Sequence, residues 1–394
     1  MTAAAHILRY LVPVIVAAAA VEAVISPKVF IVAFYGDEGN TWLGSPEFNL
    51  LEQNITVPGV SAKFPDVHCT KDGAICQLVA GEGEINAAIS AFSLVVSPLF
   101  NLTQTYFLLA GDGGINPKVA TIGSIAFAQY AVQVALQYEI DAREKPDDFS
   151  SGYIPQGSTS LDSYPRYLYG TEVFQLNDAL RQHAIAFART ATLTDSSDAE
   201  AYRQQYANVP EFAPALGPPA VMGCDTATSD NWWSGGLLGD AFAHYTMLAT
   251  NGSATYCTTQ QEDSAVLEAL LRGHILRRVD FGRVLLMRTG SDFDRPGPGI
   301  SVADNLFYSQ GGYGPALRNL YLAGVRVVKG ILDEWDETFA AGVPPRNYIG
   351  DVWGSLGGDP PFGPGSIFKG AGAAPPPDVA LNPALSSDSC SSTR

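Results

Sequence analysis

Basic residues are scarce in this sequence of 394 residues. It contains 23 Lys and Arg against 40 Asp and Glu, which gives a formal net charge of −17. A surface with this balance repels phosphate backbones, and no segment is rich enough in Lys or Arg to offset the repulsion locally. The composition therefore excludes nucleic acid as an expected partner.

Long hydrophobic runs are also rare. The one nearest to the length that crosses a bilayer is residues 10–21, but it is short and contains Pro13. Arg9 precedes the run and small residues up to Ala23 follow it, as in a secretory signal peptide. We therefore predict a signal peptide over residues 1–23 and no integral membrane span after its removal. An uncleaved anchor is the alternative.

Triplets that accept N-linked sugar support export. Each follows the pattern Asn-x-Ser/Thr, which also occurs by chance. Together with the signal-like N-terminus, they predict a secreted, extracellular glycoprotein. The three acceptors are Asn54, Asn101 and Asn251.

Histidine and cysteine are few, with five of each. The histidines are scattered and no Cys-x-x-Cys is present, so the sequence predicts neither a metal site nor a cofactor. Cys69 and Cys76 flank an Asp72-Gly73 turn, which predicts a hairpin closed by a local disulfide. The cysteines whose pairing stays open are Cys224, Cys257 and Cys390.

Two widespread catalytic motifs are absent as well. The sequence has no Gly-x-Ser-x-Gly and no Walker loop. Residues 81–86 approach a dinucleotide-binding fingerprint, but the third glycine is missing, and Glu82 and Glu84 would repel a pyrophosphate. We interpret this stretch as a tight turn from a strand into a helix.

What the sequence does contain is a series of apolar runs that end in glycine and acids, separated by helical patterns. This alternation predicts an α/β fold, with three α/β/α layers around a central mixed sheet. We assign it to residues 24–354 and interpret residues 355–394, rich in Pro, Gly and Ser, as a disordered tail. The predicted strands lie in residues 28–40, 106–117, 218–233, 254–263 and 283–294, and the predicted helices in residues 85–99, 173–190, 264–278 and 313–341.

Acidic residues lie at the ends of the predicted strands. In α/β folds, ligands bind beyond the carboxyl ends of the strands, so these acids are candidates for one crevice. A single acid at such a place is as often a helix cap or a turn residue, which is how we interpret Asp263 and Asp294. The long connection over residues 143–167 either folds over this crevice or is a surface addition. The acids are Glu38, Asp112, Asp225, Glu262, Asp263, Asp292 and Asp294.

Short motifs, in this order, resemble those of the nucleoside phosphorylase and nucleosidase superfamily. Arg288-Thr-Gly-Ser291-Asp292 resembles the strand end whose Asp is the general acid toward the purine. Gln261-Glu262 resembles a Met-Glu pair whose Glu binds the ribose hydroxyls, and Glu38 matches a Glu near the attacking water. More closely, the chain is similar to the fungal purine nucleoside permease family over about residues 28–341.

The resemblance implies a nucleoside phosphorylase-like fold and a site for purine nucleosides. It implies Asp292, Glu38 and Glu262 as catalytic residues. The Gly-rich turn AGDGG and the segment CDTATSDNWW would approach the ligand, with a tryptophan stacked on the base. The implied substrate-binding residues are Gly111, Asp112, Gly113, Thr226, Thr228, Trp232, Trp233, Gln261 and Ser291.

On this resemblance, we expect a secreted purine nucleosidase that hydrolyses the N-ribosidic bond. The arginines that hold phosphate in the phosphorylases have no counterpart in residues 36–43 or 107–112. Their absence favours water over phosphate as the group that attacks the sugar. The alternatives are a purine nucleoside phosphorylase and a nucleoside-binding component of nucleoside uptake. Base preference, the direction in which Arg288 points, and whether the protein is a homo-oligomer stay open.

Overall fold

The computed structural model describes residues 24–368. The predicted signal peptide, Cys390 and residues 369–394 of the predicted tail lie outside the described residues. In the described part of the tail, Phe362 is buried and packs edge-on against Tyr130 and Tyr348. The chain just past residue 354 therefore packs on the domain and does not extend away from it.

The strands form two large sheets and one small hairpin. The strands are β1 Val29–Ala33, β2 Gln53–Thr56, β3 Asp66–Cys69, β4 Ile75–Val79, β5 Tyr106–Gly111, β6 Gly114–Ile115, β7 Ile125–Phe127, β8 Tyr130–Gln133, β9 Gln137–Glu139, β10 Tyr153–Pro155, β11 Val173–Gln175, β12 Val221–Gly223, β13 Asp225–Thr228, β14 Tyr256–Gln260, β15 Val284–Thr289, β16 Asp292–Phe293 and β17 Gly350–Asp351. The first sheet has the order β12-β7-β15-β5-β1-β4-β3-β2, and the second has the order β16-β6-β14-β13-β8-β11-β17. Strands β9 and β10 pair with each other.

Eight α-helices accompany these sheets in residues 24–368. They are α1 Gly36–Trp42, α2 Glu84–Val96, α3 Asp178–Ala188, α4 Ser197–Arg203, α5 Gly236–Ala249, α6 Asp263–Ile275, α7 Val302–Phe307 and α8 Tyr313–Asp333. Short 3-10 turns cover Leu50–Glu52, Gln204–Tyr206, Pro210–Leu216 and Phe281–Arg283, and a π-helical turn covers Trp335–Phe339. In the part of the chain that is described, none of these helices combines the length and the apolar character that a membrane crossing requires.

The central strands of the first sheet are β1, β5 and β15, and they are buried along their whole length. They run parallel, with Val29 beside Tyr106 and Phe107 beside Val284. A parallel strand covered on both faces needs apolar residues at nearly every position. This is why these strands appear in the sequence as unbroken apolar runs.

Helices cover both faces of the first sheet. Because side chains alternate along a strand, Phe30 and Val32 pack with α2 and α6, whereas Val29 and Ile31 pack with α3 and α8. The predicted α/β/α layering is therefore confirmed. The prediction of one central sheet is wrong, since the structure has two mixed sheets. The segment predicted as one strand over residues 218–233 divides at Cys224 into β12, which lies in the first sheet, and β13, which lies in the second.

The helix predicted over residues 173–190 begins later than the pattern suggested. Val173 to Gln175 pair with β8 and β17 as strand β11. The helix α3 starts after Asn177, whose side chain accepts a hydrogen bond from the Leu180 amide. An asparagine cap satisfies a free amide of the first turn, so it sets the helix start.

Two disulfides are present in the described residues. Cys69 and Cys76 pair across the β3–β4 hairpin, which confirms the predicted bridge. Cys224 and Cys257 form the second, between the start of β13 and β14. The sequence leaves the pairing of these two cysteines open, and the structure supplies it.

The connection over residues 143–167 contributes no residue to the lining of the crevice. It contains β10, which pairs with β9. The Tyr153 ring packs at 4.9 Å from Phe242 of α5, and Phe242 in turn packs at 4.8 Å from Trp233. The connection therefore supports Trp233 from behind.

Candidate functional site

A cleft opens at the carboxyl ends of β1, β5, β13 and β14, where the two sheets meet. Its volume is about 300 Å³, which is at the lower end of the usual range for a small-molecule site. Strand ends of both sheets, the start of α1 and the start of α8 contribute to it. The lining residues are Phe34, Tyr35, Glu38, Glu82, Asp112, Gly113, Gly114, Ser229, Asn231, Trp232, Trp233, Thr259, Gln260, Gln261, Glu262, Ser291, Asp292 and Tyr313.

Glu38 lies in the first turn of α1, directly after β1. Its carboxylate accepts hydrogen bonds from the Phe34 amide at 2.6 Å and from the Tyr35 amide at 3.3 Å, which caps the helix. The Asp112 amide donates to its other oxygen at 2.5 Å. Burial raises the pKa of Glu38 to about 8, although Arg288 and these amides oppose the shift. Glu38 therefore joins α1 to the Gly-rich turn after β5 and faces the cleft.

Asp112 and Asp292 lie close together across the cleft floor. Strands β6 and β16 run side by side, with Asp292 next to Gly114. The Ser291 hydroxyl donates to Asp292 Oδ1 at 3.2 Å. Burial, reinforced by the charge of Asp112, raises the pKa of Asp292 to about 8, and burial raises the pKa of Asp112 to about 7. Near neutral pH, these acids can therefore both donate and accept protons.

Arg288 lies beneath the cleft and does not point into it. Its guanidinium bonds to Asp263 at 2.6 Å through Nη2 and at 3.1 Å through Nε. It also donates to the Asp112 carbonyl at 2.8 Å and stacks on the Phe34 ring, with 4.2 Å between the guanidinium carbon and the ring centroid. The prediction that Asp263 is a helix cap is wrong, because this carboxylate is fully buried in an ion pair.

Glu262 faces the cleft directly above this ion pair. It is 5% exposed, and its Oε1 accepts a hydrogen bond from the Gly83 amide at 3.2 Å. Arg288 Nη2 reaches its Oε2 at 3.4 Å. The first turn of α6 is capped by Gln260, whose Oε1 accepts from the Glu262 and Asp263 amides. Glu262 is therefore held in place from three sides.

Aromatic rings form one wall of the cleft. Trp232 is 71% exposed at its edge, whereas Trp233 packs against Phe242 and Tyr256. Phe34, Tyr35 and Tyr313 also line the cleft, although no sequence motif marks them as site residues. Phe34 and Tyr35 directly follow β1, so their position at a strand end was the signal available; Tyr313 starts a helix about 200 residues after Asp112 and had no such signal.

Nine of the predicted substrate-binding and catalytic residues come together in the cleft, and three do not line it. Thr226 is buried inside β13, where its hydroxyl donates to the Thr258 carbonyl. Thr228 bonds to the Gln260 and Ser264 side chains. Gly111 is enclosed by Arg288 and Phe34, since a Cβ there would lie 2.4 Å from Arg288 Nη1. The nine are Glu38, Asp112, Gly113, Trp232, Trp233, Gln261, Glu262, Ser291 and Asp292.

Two further acids at strand ends serve the structure. Asp294 was interpreted as a turn residue, but it is 2% exposed, and it accepts hydrogen bonds from Arg295 at 2.8 Å and from the Tyr256 hydroxyl at 2.7 Å. Asp225 accepts from three backbone amides. These partners hold both carboxylates away from the cleft.

The described residues contain no cluster of His, Cys, Asp and Glu with the arrangement of a metal site. The cleft lining, as far as the structure describes it, also contains no Lys or Arg. Its polar groups are thus mainly carboxyls, amides and hydroxyls. Such groups suit a ligand with several hydroxyls and ring nitrogens.

Residues 26–344 match the family described as Purine nucleoside permease (NUP). The chain belongs to the purine nucleoside permease family. A purine nucleoside permease of Candida albicans is 43% identical over 348 residues, which is 86% of this chain and 84% of that protein. A probable purine nucleoside permease of Schizosaccharomyces pombe is 40% identical over 323 residues, which is 80% of this chain and 91% of that protein.

Solved structures similar to this chain include nucleosidases. A 5'-methylthioadenosine/S-adenosylhomocysteine nucleosidase of Neisseria meningitidis is 15% identical, with a TM-score of 0.44, over 76% of this chain and 98% of that one. A futalosine hydrolase of Helicobacter pylori is 12% identical, with a TM-score of 0.43, over 79% of this chain and 98% of that one.

The family membership confirms the predicted resemblance and corrects the expected function. The expectation of a secreted purine nucleosidase is contradicted by the permease relatives, whose names describe uptake and not hydrolysis. The error came from carrying catalytic roles over with short motifs. A carboxyl that is placed to protonate a leaving group is equally able to hold a ligand by a hydrogen bond.

Proposed function

We propose that this member of the purine nucleoside permease family binds purine nucleosides in the cleft, as the recognition component of nucleoside uptake. The observation that carries the proposal is the cleft itself. Aromatic rings border a small cavity whose floor bears carboxyls with raised pKa values. The names of its relatives supply the ligand class.

The proposed contacts follow from the chemistry of the lining. Glu262 would accept hydrogen bonds from sugar hydroxyls, because its carboxylate is fixed by Gly83 and Arg288. Asp292, when protonated, would donate to an acceptor atom of the purine ring. Trp232 is exposed at the cleft edge and is free to stack on the base.

Binding can be measured by tryptophan fluorescence with adenosine, guanosine, inosine and uridine. We expect saturable quenching by the purine nucleosides and at least about tenfold weaker binding of uridine, since a smaller base covers less aromatic surface. Trp232→Phe should remove most of the quenching. The matched control is Trp335→Phe, which changes a tryptophan packed on Tyr106 at the far end of α8.

Absence of saturable binding, or equal binding of uridine, would contradict the proposal. Chromatography of the incubated nucleoside provides a second readout. Recovery of intact nucleoside supports a binding role, whereas release of free base would overturn a role limited to binding.

We also propose that the protein acts outside the cytosol. The two disulfides support this, because such bridges persist in oxidising compartments. The acceptors Asn54, Asn101 and Asn251 are all exposed. We expect mature protein to begin near Val24 and to lose mass on enzymatic removal of N-linked sugar. An intact Met1 on a protein without sugar would refute the proposal.

A further inference from the structure

The cleft carries far more negative than positive groups. Five of its lining residues are acids, and a sixth acid, Asp263, lies fully buried just beneath the floor. Within the described residues, Arg288 is the cation that contacts this group from below, and Lys63 meets Glu82 at the rim, where both side chains are more than half exposed. The lining acids are Glu38, Glu82, Asp112, Glu262 and Asp292.

Arg288 is not available to a ligand anion. Its Nε and Nη2 are taken by Asp263, and its Nη1 by the Asp112 carbonyl. Phe34 covers one face of the guanidinium, and Gly111 lies against Nη1 so closely that a Cβ would clash. Turning Arg288 toward the cleft would leave Asp263 charged, buried and unpaired, which is strongly unfavourable.

At three of the helix N-termini around the cleft, which are the usual anion sites of α/β folds, backbone amides already donate to acceptors of the protein itself. At α1, the Glu38 carboxylate takes the Phe34 and Tyr35 amides. At α2, Glu262 takes the Gly83 amide and Asp230 takes the Glu84 amide at 2.8 Å. The first amides of α6 are taken by Gln260. A phosphate would therefore have to displace internal acceptors at each of these three places. No side chain caps the start of α8, whose first residue, Tyr313, also lines the cleft.

The Gly-rich turn after β5 offers no phosphate cradle either. Its Asp112 amide already donates to Glu38 at 2.5 Å, and its Gly114 amide donates to Thr259 Oγ1 at 2.9 Å. The Asp112 side chain makes no ion pair: the contact from Arg288 goes to the backbone carbonyl, and within the described residues Asp112 Oδ1 is buried without a hydrogen-bond partner. Ser291 and the Gly113 amide donate hydrogen bonds to this carboxyl, and the charge of Arg288 attracts it. A neutral sugar can enter here, but a second anion meets a carboxyl that has no paired cation.

We propose that the cleft admits unphosphorylated nucleosides and rejects nucleoside monophosphates and inorganic phosphate, with Asp112 as a specificity-determining residue. The inference rests on the proposed nucleoside-binding function and adds the substrate class. It follows that hydrolysis of a phosphomonoester has to precede binding when the external source of purine is a nucleotide. Water supplies the oxygen in that reaction, and phosphate leaves with the former ester oxygen remaining on the sugar.

The test is competition against inosine at pH 8, where Asp112 is mostly ionised and Glu38 and Asp292 are about half ionised, with inosine 5'-monophosphate and inorganic phosphate as probes. We expect the monophosphate to bind at least about 100-fold more weakly than inosine, because like charges meet in a partly dry cleft. Phosphate at millimolar concentration should neither displace inosine nor increase its affinity.

Asp112→Asn should reduce the ratio of the dissociation constants of inosine monophosphate and inosine by about tenfold, since one carboxylate is removed at nearly constant volume. The matched control is Asp333→Asn. Asp333 is exposed at the last residue of α8, about 30 Å along the helix axis from the lining residue Tyr313, beyond the range of unscreened interactions. The Asp333→Asn variant should keep the wild-type ratio of the dissociation constants of inosine monophosphate and inosine.

Each outcome is decisive. If inosine binds and the monophosphate binds within about threefold, the inference is overturned while the nucleoside-binding function stands. If neither binds, both fail together. If circular dichroism shows that Asp112→Asn is unfolded, the wild-type protein alone decides the question. Its ratio of dissociation constants for the monophosphate and inosine then shows whether the cleft rejects the phosphate group.

Discussion

Replacing Arg288 with methionine is expected to lower the free energy of unfolding by about 3–5 kcal/mol and to abolish nucleoside binding. The guanidinium is 1% exposed and pairs with Asp263, which is not exposed at all. Without it, one buried carboxylate loses its cation and a second, Glu262, loses part of its support. Urea unfolding at pH 7 measures the first effect, and fluorescence titration with inosine measures the second.

Arg326→Met is the matched control, because Arg326 lies exposed on α8. It should stay within about 0.5 kcal/mol of the wild type. A double variant, Asp263→Leu with Arg288→Met, should recover much of the lost stability, because an apolar pair needs no buried charge. An Arg288→Met protein that is as stable as Arg326→Met would show that the ion pair does not hold the cleft floor.

Stability should fall as the pH rises from about 5 to 8, which is the reverse of what paired carboxylates usually cause. Burial raises the pKa of Glu38 and Asp292 to about 8 and that of Asp112 to about 7, whereas the same groups ionise near pH 4 in an unfolded chain. Between these values, the folded protein holds more protons than the unfolded chain. The free energy of unfolding is therefore greatest at the acidic end of the window and decreases toward pH 8.

Asp292→Asn tests this pH dependence at one residue. Asparagine cannot release a proton. As the pH rises from 5 to 8, the free energy of unfolding of the variant should therefore increase by about 2–4 kcal/mol relative to that of the wild type. Urea unfolding at several pH values gives the slope of the free energy of unfolding against pH. Asp333→Asn is the control, and its slope should equal that of the wild type. Equal slopes for the wild type and Asp292→Asn would mean that Asp292 is ionised throughout, and that its environment is wetter than its burial indicates.

The sequence predicted the central strands well for a physical reason. Strands covered on both faces must be apolar at almost every position, so β1, β5 and β15 were visible without any tertiary information. The Cys69–Cys76 bridge was visible because its hairpin is local. Short segments such as β11 were missed because three residues next to a helix carry little periodic signal.

Which strand-end acids share a site was decided by the tertiary structure. Asp263, Asp292 and Asp294 looked alike in the sequence, since each follows an apolar run. Asp292 faces the cleft, whereas Asp263 pairs with Arg288 and Asp294 pairs with Arg295. The ion pair that each carboxylate makes, or does not make, decides whether it meets the cleft or an internal cation, and the sequence pattern does not show these pairs.

By itself, the sequence determined the layers of the fold, the excess of acid and the family to which the chain belongs, because these depend on composition, on local periodicity and on motif order. The tertiary structure alone decided that Arg288 is confined beneath the cleft, that Thr226 and Thr228 bond within a sheet, and that acceptors from other segments take the first amides of α2. Each of these depends on contacts between residues far apart in the chain, which no local pattern encodes.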